Sequence, residues 1–203
     1  MPLLVLGAGS NILVSDKGIN APILRLSSPC FKRIKFNNNF IEIGSAVVLK
    51  QVVRATQRRG LSGAEFLAGI PGTLGGALIM NAGAHKKCIG NLVKNVTVMD
   101  YNGSIKTFNI KNIKFRYRKS NLSKYIILSA SLSLIKKDKQ EIKNKIDRYL
   151  DYRRRGLDSS YPSAGCIFKN PPGYSSGQLI DLCGLKGKRI GDACISQRHA
   201  NFI

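Results

Sequence analysis

The segment Gly69-Ile70-Pro71-Gly72-Thr73-Leu74-Gly75-Gly76-Ala77-Leu78-Ile79-Met80-Asn81-Ala82-Gly83-Ala84 constrains the fold more than any other part of the chain. It holds five glycines, one proline and almost no large polar side chain. What it offers a ligand is backbone: without a Cβ, glycine lets a bound group approach the amide N–H, and it tolerates φ > 0. Successive N–H groups facing one concavity bind an anion without any formal charge. Ile70-Pro71-Gly72 reads as a turn, with proline presetting φ and glycine suiting a left-handed position. A short helix is expected over Gly75–Met80, its N-terminus also favouring an anion. The competing reading is a glycine-rich joint that packs a helix against a sheet.

Around this run the hydrophobic pattern predicts a mixed chain. Leu3–Leu6 reads as a buried strand and Gly7-Ala8-Gly9-Ser10-Asn11 as the tight turn after it. Ile12–Val14 and Ala21–Leu26 read as further strands, and 32–43 as a hairpin turning at Asn37-Asn38-Asn39. Val47, Leu49, Val52, Val53 and Thr56 have helical spacing within 46–59, and Gly60 suits the C-cap. Strands are expected at 93–99, 105–110 and 125–135, with Asn102-Gly103 turning the first pair. An amphipathic helix is expected from Lys136 to Arg155, burying Ile142, Ile146, Tyr149 and Leu150. A short helix over Leu179–Cys183 is closed by Gly184. Hairpins mixed with helices argue for an α+β fold rather than a regular βαβ array.

The chain carries 33 Lys+Arg against 11 Asp+Glu, a formal net charge of +22. Such a balance suits nucleic acid or small anionic ligands. The lysines are spread along the chain, Trp is absent and the aromatics are scattered. A basic nucleic-acid-binding protein is therefore held as the alternative rather than the main reading. Cys30, Cys88, Cys166, Cys183 and Cys194 show no C-x-x-C spacing. They argue against a disulfide framework or a structural zinc, so no metal is expected, and they fit a reducing cytoplasm. No apolar run approaches the ~20 residues that span a bilayer, and no secretory segment is seen, so no membrane partner is expected.

Three further stretches offer chemistry. Gly7–Asn11 lacks the third glycine of G-x-G-x-x-G and the Gly-Lys-Ser/Thr of a P-loop, which excludes both. It fits an N–H nest with Ser10 and Asn11 as side-chain donors, or a plain tight turn. Arg116 and Arg118 stand two apart within Phe115–Ser120 and would share one face of an extended segment. They could bind a carboxylate or phosphate bidentately, or form an ordinary surface pair. In Ser163–Pro171 the small Ala164 and Gly165 give access to the Cys166 thiol, with Lys169 and Asn170 just beyond. A thiol can donate a proton; the alternative is a buried structural cysteine.

Five groups of residues then occur in a shared order. They are Leu6–Asn11; Gly63-Ala64-Glu65-Phe66-Leu67-Ala68-Gly69-Ile70-Pro71-Gly72 through Asn81-Ala82-Gly83-Ala84-His85; Tyr117-Arg118-Lys119-Ser120; Ser163–Pro171; and Gly184-Leu185-Lys186-Gly187, Ile190-Gly191 and His199-Ala200-Asn201-Phe202. Over essentially the whole chain this resembles the UDP-N-acetylenolpyruvoylglucosamine reductase (MurB) family of peptidoglycan synthesis. The resemblance implies an α+β fold with a two-lobed FAD-binding module, like that of vanillyl-alcohol-oxidase-type (PCMH-like) flavoproteins, over 1–137. A connecting basic helix over 138–155 and a substrate-binding domain over 156–203 follow. It implies FAD as cofactor, NADPH as hydride-donating co-substrate and a UDP-sugar as substrate. FAD would be held by Gly7, Ala8, Gly9, Ser10, Asn11, Gly69, Ile70, Pro71, Gly72, Thr73, Gly75, Gly76, Asn81, Ala82, Gly83 and Ala84. Arg118 would bind the substrate carboxylate and stabilise an enolate-like intermediate, and Cys166, where the family usually has serine, would protonate the α-carbon. Tyr117, Arg155, Lys169, Asn170 and His199 would contact substrate. A cytoplasmic monomer acting in cell-wall biogenesis is the corresponding expectation.

The chain also departs from the family pattern. Lys86-Lys87-Cys88 follows His85 where the family prefers a glycine and an acidic residue, and the basic position before residue 162 is matched only by Arg155 as a best fit. The resemblance further implies a segment before residue 1 and a catalytic glutamate beyond residue 203. On that reading the FAD-binding module lacks its N-terminal part and the substrate domain its C-terminal part, the 203-residue polypeptide binds FAD weakly and turns over poorly, and an inactive relic of a flavoprotein is a further alternative.

Overall fold

The structure is a computed structural model describing residues 3–38, 40–156, 163 and 165–203. Asn39 of the expected turn, Ala164 beside Cys166, and 157–162 just past the expected boundary at 156 lie outside the described residues. In chain order the elements are β1 (Leu4–Val5), β2 (Ile23–Leu24), β3 (Ile34–Asn37), β4 (Phe40–Gly44), α1 (Leu49–Arg58), β5 (Leu61–Ser62), α2 (Leu74–Ile79), β6 (Gly83–Ala84), β7 (Lys87–Cys88), β8 (Val93–Met99), β9 (Ile105–Asn109), β10 (Phe115–Arg116), β11 (Lys119–Ser120), β12 (Ile126–Ser133), β13 (Ile135–Lys136), α3 (Lys139–Gly156), α4 (Ser176–Leu182), β14 (Arg189–Ile190) and β15 (Ala193–Cys194). They fall into two compact units, Met1–Gly9 with Ile19–Tyr149, and Ser10–Gly18 with Leu150–Ile203.

The first unit is built on an antiparallel sheet of order β3-β4-β12-β8-β9. Alternation puts Ile41 and Ile43 of β4, Val96 and Val98 of β8, and Ala130 and Leu132 of β12 inside, each at most 1% exposed. Full burial of one Leu, Ile or Val side chain stabilises by roughly 1.5–3 kcal/mol. α1 buries Leu49, Val52, Val53 and Thr56, one stripe at i, i+3, i+4 and i+7, and ends at Gly60 with φ +66°, as its sequence predicts. α2 lies against β4 and β12, and its Leu74 and Leu78 are fully buried. Gly75 makes that approach possible, since a Cβ there would sit 3.2 Å from the Cβ of Ser45. The joint reading of the glycine run therefore holds at Gly75.

Several expectations need correction. Leu3–Leu6 is not a buried core strand: only Leu4–Val5 is extended, Leu4 is 39% exposed, and β1 pairs with β2 alone, in parallel. Ile12–Val14 forms no strand, because its backbone finds no ladder. The expected strand 125–135 breaks at Leu134, where the chain leaves the sheet so that β13 can pair with β5. The turn at Asn102-Gly103 is a three-residue loop closed by the Asp100 and Ser104 backbones, with Gly103 at φ +87°. α3 starts three residues later than expected, since the Asp138 carboxylate accepts the N–H groups of Gln140 and Glu141.

In the second unit, α4 is capped by the Ser175 hydroxyl and closed by Gly184 at φ +67°. A short β14–β15 hairpin follows, and Cys166 bridges to Phe202 in antiparallel fashion.

Candidate active site

Two glycine loops of the first unit meet. A Cβ on Gly7 would stand 2.7 Å from Thr73 Oγ1, so the Gly7–Gly9 loop lies directly against Gly72–Thr73. The amide N–H groups of Gly7, Ala8, Gly9, Gly72 and Thr73 have no hydrogen-bond partner among the described residues. Ala8 and Gly9 are exposed, and the other three half-exposed, so a ligand can reach them. Unpaired amides on two abutting loops suit an anion. Gly9 at φ +72° has no atom within 4 Å of an added Cβ, so its glycine serves conformation, whereas Gly7 serves close approach.

A second structure docks on the same run. β10 and β11 form a two-residue hairpin with Tyr117 and Arg118 at its tip, and Arg118 at φ +53° supplies the left-handed turn residue. Arg116 pairs with Lys119 on the strands, so the two arginines do not share the face of one extended segment. The Arg118 guanidinium is half-buried and donates from one Nη to Gly83 O at 3.1 Å. No carboxylate pairs with it among the described residues. Among the described residues its remaining donors have no hydrogen-bond partner, which leaves a fork suited to a carboxylate. The hairpin is tied down by Asn81 Nδ2, donating to Arg116 O at 3.1 Å, and by Ser120 Oγ, donating to Ile79 O at 3.0 Å.

Between these parts, β6 and β7 form a second two-residue hairpin, with His85 at φ +53° and Lys86 at φ +60°. Two consecutive positive φ values define a type I′ turn, which glycine fits best. His85 stacks on Tyr149 of α3 with ring centroids 4.1 Å apart. Upstream, Glu65 is 3% exposed and accepts hydrogen bonds from the Ser62 hydroxyl and the Gly63 amide, with Lys145 Nζ at 3.7 Å. Burial pushes its carboxyl pKa up. The Ser62 hydroxyl, the nearby amides and Lys145 together outweigh burial and hold it below the ordinary value.

In the second unit, Asn201 clamps the segment that carries Cys166. Its Oδ1 accepts from Phe168 N at 2.8 Å, its Nδ2 donates to Phe168 O at 2.7 Å, and its own carbonyl accepts from Ile167 N at 3.0 Å. Asn170 Oδ1 accepts from Ser176 N at 3.0 Å, at the start of α4. His199 Nδ1 accepts from Asn201 N at 3.3 Å, which leaves Nε2 to carry the proton of the neutral ring. Burial lowers the His199 pKa and Lys186 adds to this, against a hydrogen bond to its own backbone. Cys166 and Arg155 are exposed. It is Arg153, half-buried, whose guanidinium responds to Cys166: burial lowers its pKa and Cys166 raises it. The sequence reading missed Ser120, Arg153 and Asn201. Ser120 and Asn201 lay within quoted motifs but were given no role.

Comparison with known proteins fixes what these loops belong to. A family model described as an FAD binding domain matches residues 1–109, and one described as the UDP-N-acetylenolpyruvoylglucosamine reductase C-terminal domain matches residues 157–203. A UDP-N-acetylenolpyruvoylglucosamine reductase from Rickettsia prowazekii is 39% identical over 204 residues, covering 100% of this chain and 69% of the relative. One from Moorella thermoacetica is 37% identical over 204 residues, covering 100% and 67%. The chain belongs to the UDP-N-acetylenolpyruvoylglucosamine reductase family. It spans about two thirds of the length of the curated relatives it matches (66% of the one from Symbiobacterium thermophilum). The crystal structure of the reductase (MurB) from Thermus caldophilus superposes with a TM-score of 0.90 at 39% identity, covering 100% of this chain and 74% of that one. A carbon monoxide dehydrogenase from Hydrogenophaga pseudoflava, 12% identical with a TM-score of 0.51 over 66% of this chain, shares the fold alone. The fold is thus the expected α+β one, an FAD-binding module followed by the family's C-terminal domain. The nucleic-acid alternative finds no support in these matches.

The residues present fit FAD. A pyrophosphate suits unpaired amides on closely packed, glycine-rich loops, and Gly7–Gly9 against Gly72–Thr73 offers such amides, with Gly7, Gly9 and Gly72 lacking a Cβ. Among the described residues no group of three or more His, Cys, Asp or Glu is arranged to hold a metal, and no helix is long and apolar enough to cross a membrane.

Proposed function

We propose that the chain reduces UDP-N-acetylglucosamine enolpyruvate to UDP-N-acetylmuramate, with FAD as cofactor and NADPH as electron donor. The observation that carries this reading is the half-buried Arg118, without a carboxylate partner among the described residues and held on the carbonyl of Gly83 in the cofactor run. FAD, when bound, supplies the hydride that NADPH gives up. Gly7–Gly9 and Gly72–Thr73, with Ser10, Asn11, Gly69–Pro71, Gly75, Gly76 and Ala82–Ala84, form the binding segments. Arg118 binds the substrate carboxylate and stabilises the negative charge that develops when hydride reaches the β-carbon. The Cys166 thiol gives its proton to the α-carbon, so the carbon–carbon double bond becomes a saturated lactyl ether while NADPH is oxidised. Tyr117, Arg155, Lys169, Asn170 and His199 contact the UDP-sugar, His199 as a neutral donor through Nε2. The reading places the protein in the cytoplasm as a monomer, in peptidoglycan synthesis and so in cell-wall biogenesis, cell shape and division.

The test is titration of the FAD-loaded chain with the enolpyruvyl UDP-sugar, read from the flavin absorbance spectrum. Saturable binding is expected, weakened at least about tenfold by Arg118→Ala, since a charge-assisted bidentate pair is worth more than one ordinary hydrogen bond. Sugar binding indifferent to Arg118→Ala would refute the reading.

A further inference from the structure

Asn81 lies in the cofactor run, yet its side chain is engaged elsewhere. It is 7% exposed, its Oδ1 accepts from Gly90 N at 3.1 Å, and its Nδ2 donates to Arg116 O at 3.1 Å. Its backbone sits at φ +43°. These are three simultaneous demands: a left-handed backbone, an acceptor and a donor. Asparagine meets all three, being among the non-glycine residues most tolerant of that conformation and carrying both functions on one amide. Aspartate lacks the donor and glycine lacks both functions.

The partners of Asn81 converge on one object, the hairpin that carries Arg118. Arg116 is in that hairpin, two residues before Arg118. Gly90 packs against its first residue, since a Cβ on Gly90 would stand 2.7 Å from the Phe115 ring and 3.0 Å from Asn81 Oδ1. Ser120, the last residue of the hairpin, donates to Ile79, and Arg118 itself donates to Gly83. Residues 79–83 of the cofactor run therefore hold the hairpin by three hydrogen bonds, and the Asn81 bond lies next to the tip.

We propose that Asn81 is a positioning residue for Arg118 rather than a ligand of the cofactor: through Arg116 O it fixes the hairpin so that the guanidinium lies on Gly83 O with its free donors presented to the substrate carboxylate. The proposal rests on the flavin-reductase reading for what Arg118 binds. The position of the guanidinium can be measured without it.

The experiment uses the full 203-residue chain and the variants Asn81→Asp and Asn81→Gly. Asn81→Asp keeps the acceptor for Gly90 N and sets an anionic oxygen against Arg116 O; Asn81→Gly keeps the backbone freedom and removes both bonds. The first readout is the rate at which phenylglyoxal modifies Arg118, followed by peptide mass spectrometry. The second and third are the dissociation constants of FAD, by fluorescence quenching, and of the enolpyruvyl UDP-sugar. Both variants are expected to raise the Arg118 modification rate at least threefold and to weaken the sugar at least tenfold while FAD affinity stays within threefold. An unchanged modification rate, or FAD and sugar affinities falling by the same factor, would overturn the proposal. A wild-type chain that binds neither FAD nor sugar would defeat the flavin reading. In that case the modification rate alone still decides whether Asn81 positions Arg118.

Discussion

Replacing Gly7 with alanine tests the meeting of the two glycine loops. The new Cβ would lie 2.7 Å from Thr73 Oγ1, whereas ordinary contact begins at 3.4 Å, so either the loops part by about 0.7 Å or the threonine hydroxyl turns away. Among the described residues the hydroxyl is held only by a long contact from Gly76 N at 3.5 Å. Gly7 has no positive φ, so alanine meets no backbone penalty and the fold is expected to survive. A shift of about 0.7 Å takes an amide–phosphate hydrogen bond from ~2.9 Å to beyond the range where it counts. One hydrogen bond to a charged group contributes roughly 1.5–3 kcal/mol, so FAD affinity is expected to fall at least tenfold. In the double variant Gly7→Ala/Thr73→Ala the clashing oxygen and Cγ2 are gone, and the Cβ that remains, at 3.8 Å, is an ordinary contact. Its affinity should therefore exceed what the two single variants predict together, a coupling that a double-mutant cycle measures. The assay is quenching of FAD fluorescence at fixed salt. A Gly7→Ala chain within twofold of wild type, or strictly additive variants, would refute the reasoning.

Lys86→Gly relieves a left-handed lysine in a type I′ turn and should raise stability by up to about 1 kcal/mol, visible as a higher thermal midpoint; a lower midpoint would contradict the turn assignment. Glu65 carries a depressed pKa, so its contribution is present above the unfolded carboxyl value of about 4.3 and is lost as pH falls through the lower folded value. Acid titration of wild type and Glu65→Gln should accordingly show the stability difference shrinking below about pH 4, and a difference that stays constant to lower pH would count against the network. His199 has a lowered pKa, so the folded second unit resists its protonation, and stability should decline as pH falls below about 6.5. NMR titration of the ring should give a midpoint below that of an unfolded peptide carrying the same residue.

Much of this was legible in the sequence because the physics is local. The glycine run, the stripe Leu49, Val52, Val53 and Thr56, the cap at Gly60 and the hairpin 32–43 each follow from spacing over a few residues. Arg118 and Cys166 were candidates from their own neighbours, each beside a plain surface or structural reading, and the family resemblance supplied their roles. What was not legible depends on contacts distant in sequence. Nothing near Leu4 shows that it pairs with Ile23 alone, or near Leu134 that the chain leaves one sheet for another. Arg116 and Arg118 were read as one extended face because a turn at Tyr117-Arg118 has neither glycine nor proline to announce it. Asn81 reads as one more small polar residue of a loop. Its role emerges only when Arg116, 35 residues away, is found at its amide.

The central claim is that Gly7–Gly9 and Gly72–Thr73 together form the flavin site, and equilibrium FAD titration of the purified 203-residue chain beside Gly7→Ala tests it most directly. Saturable binding of one FAD per chain, weakened at least about tenfold by Gly7→Ala, is the predicted result. No saturable binding, or binding that Gly7→Ala leaves untouched, would contradict it.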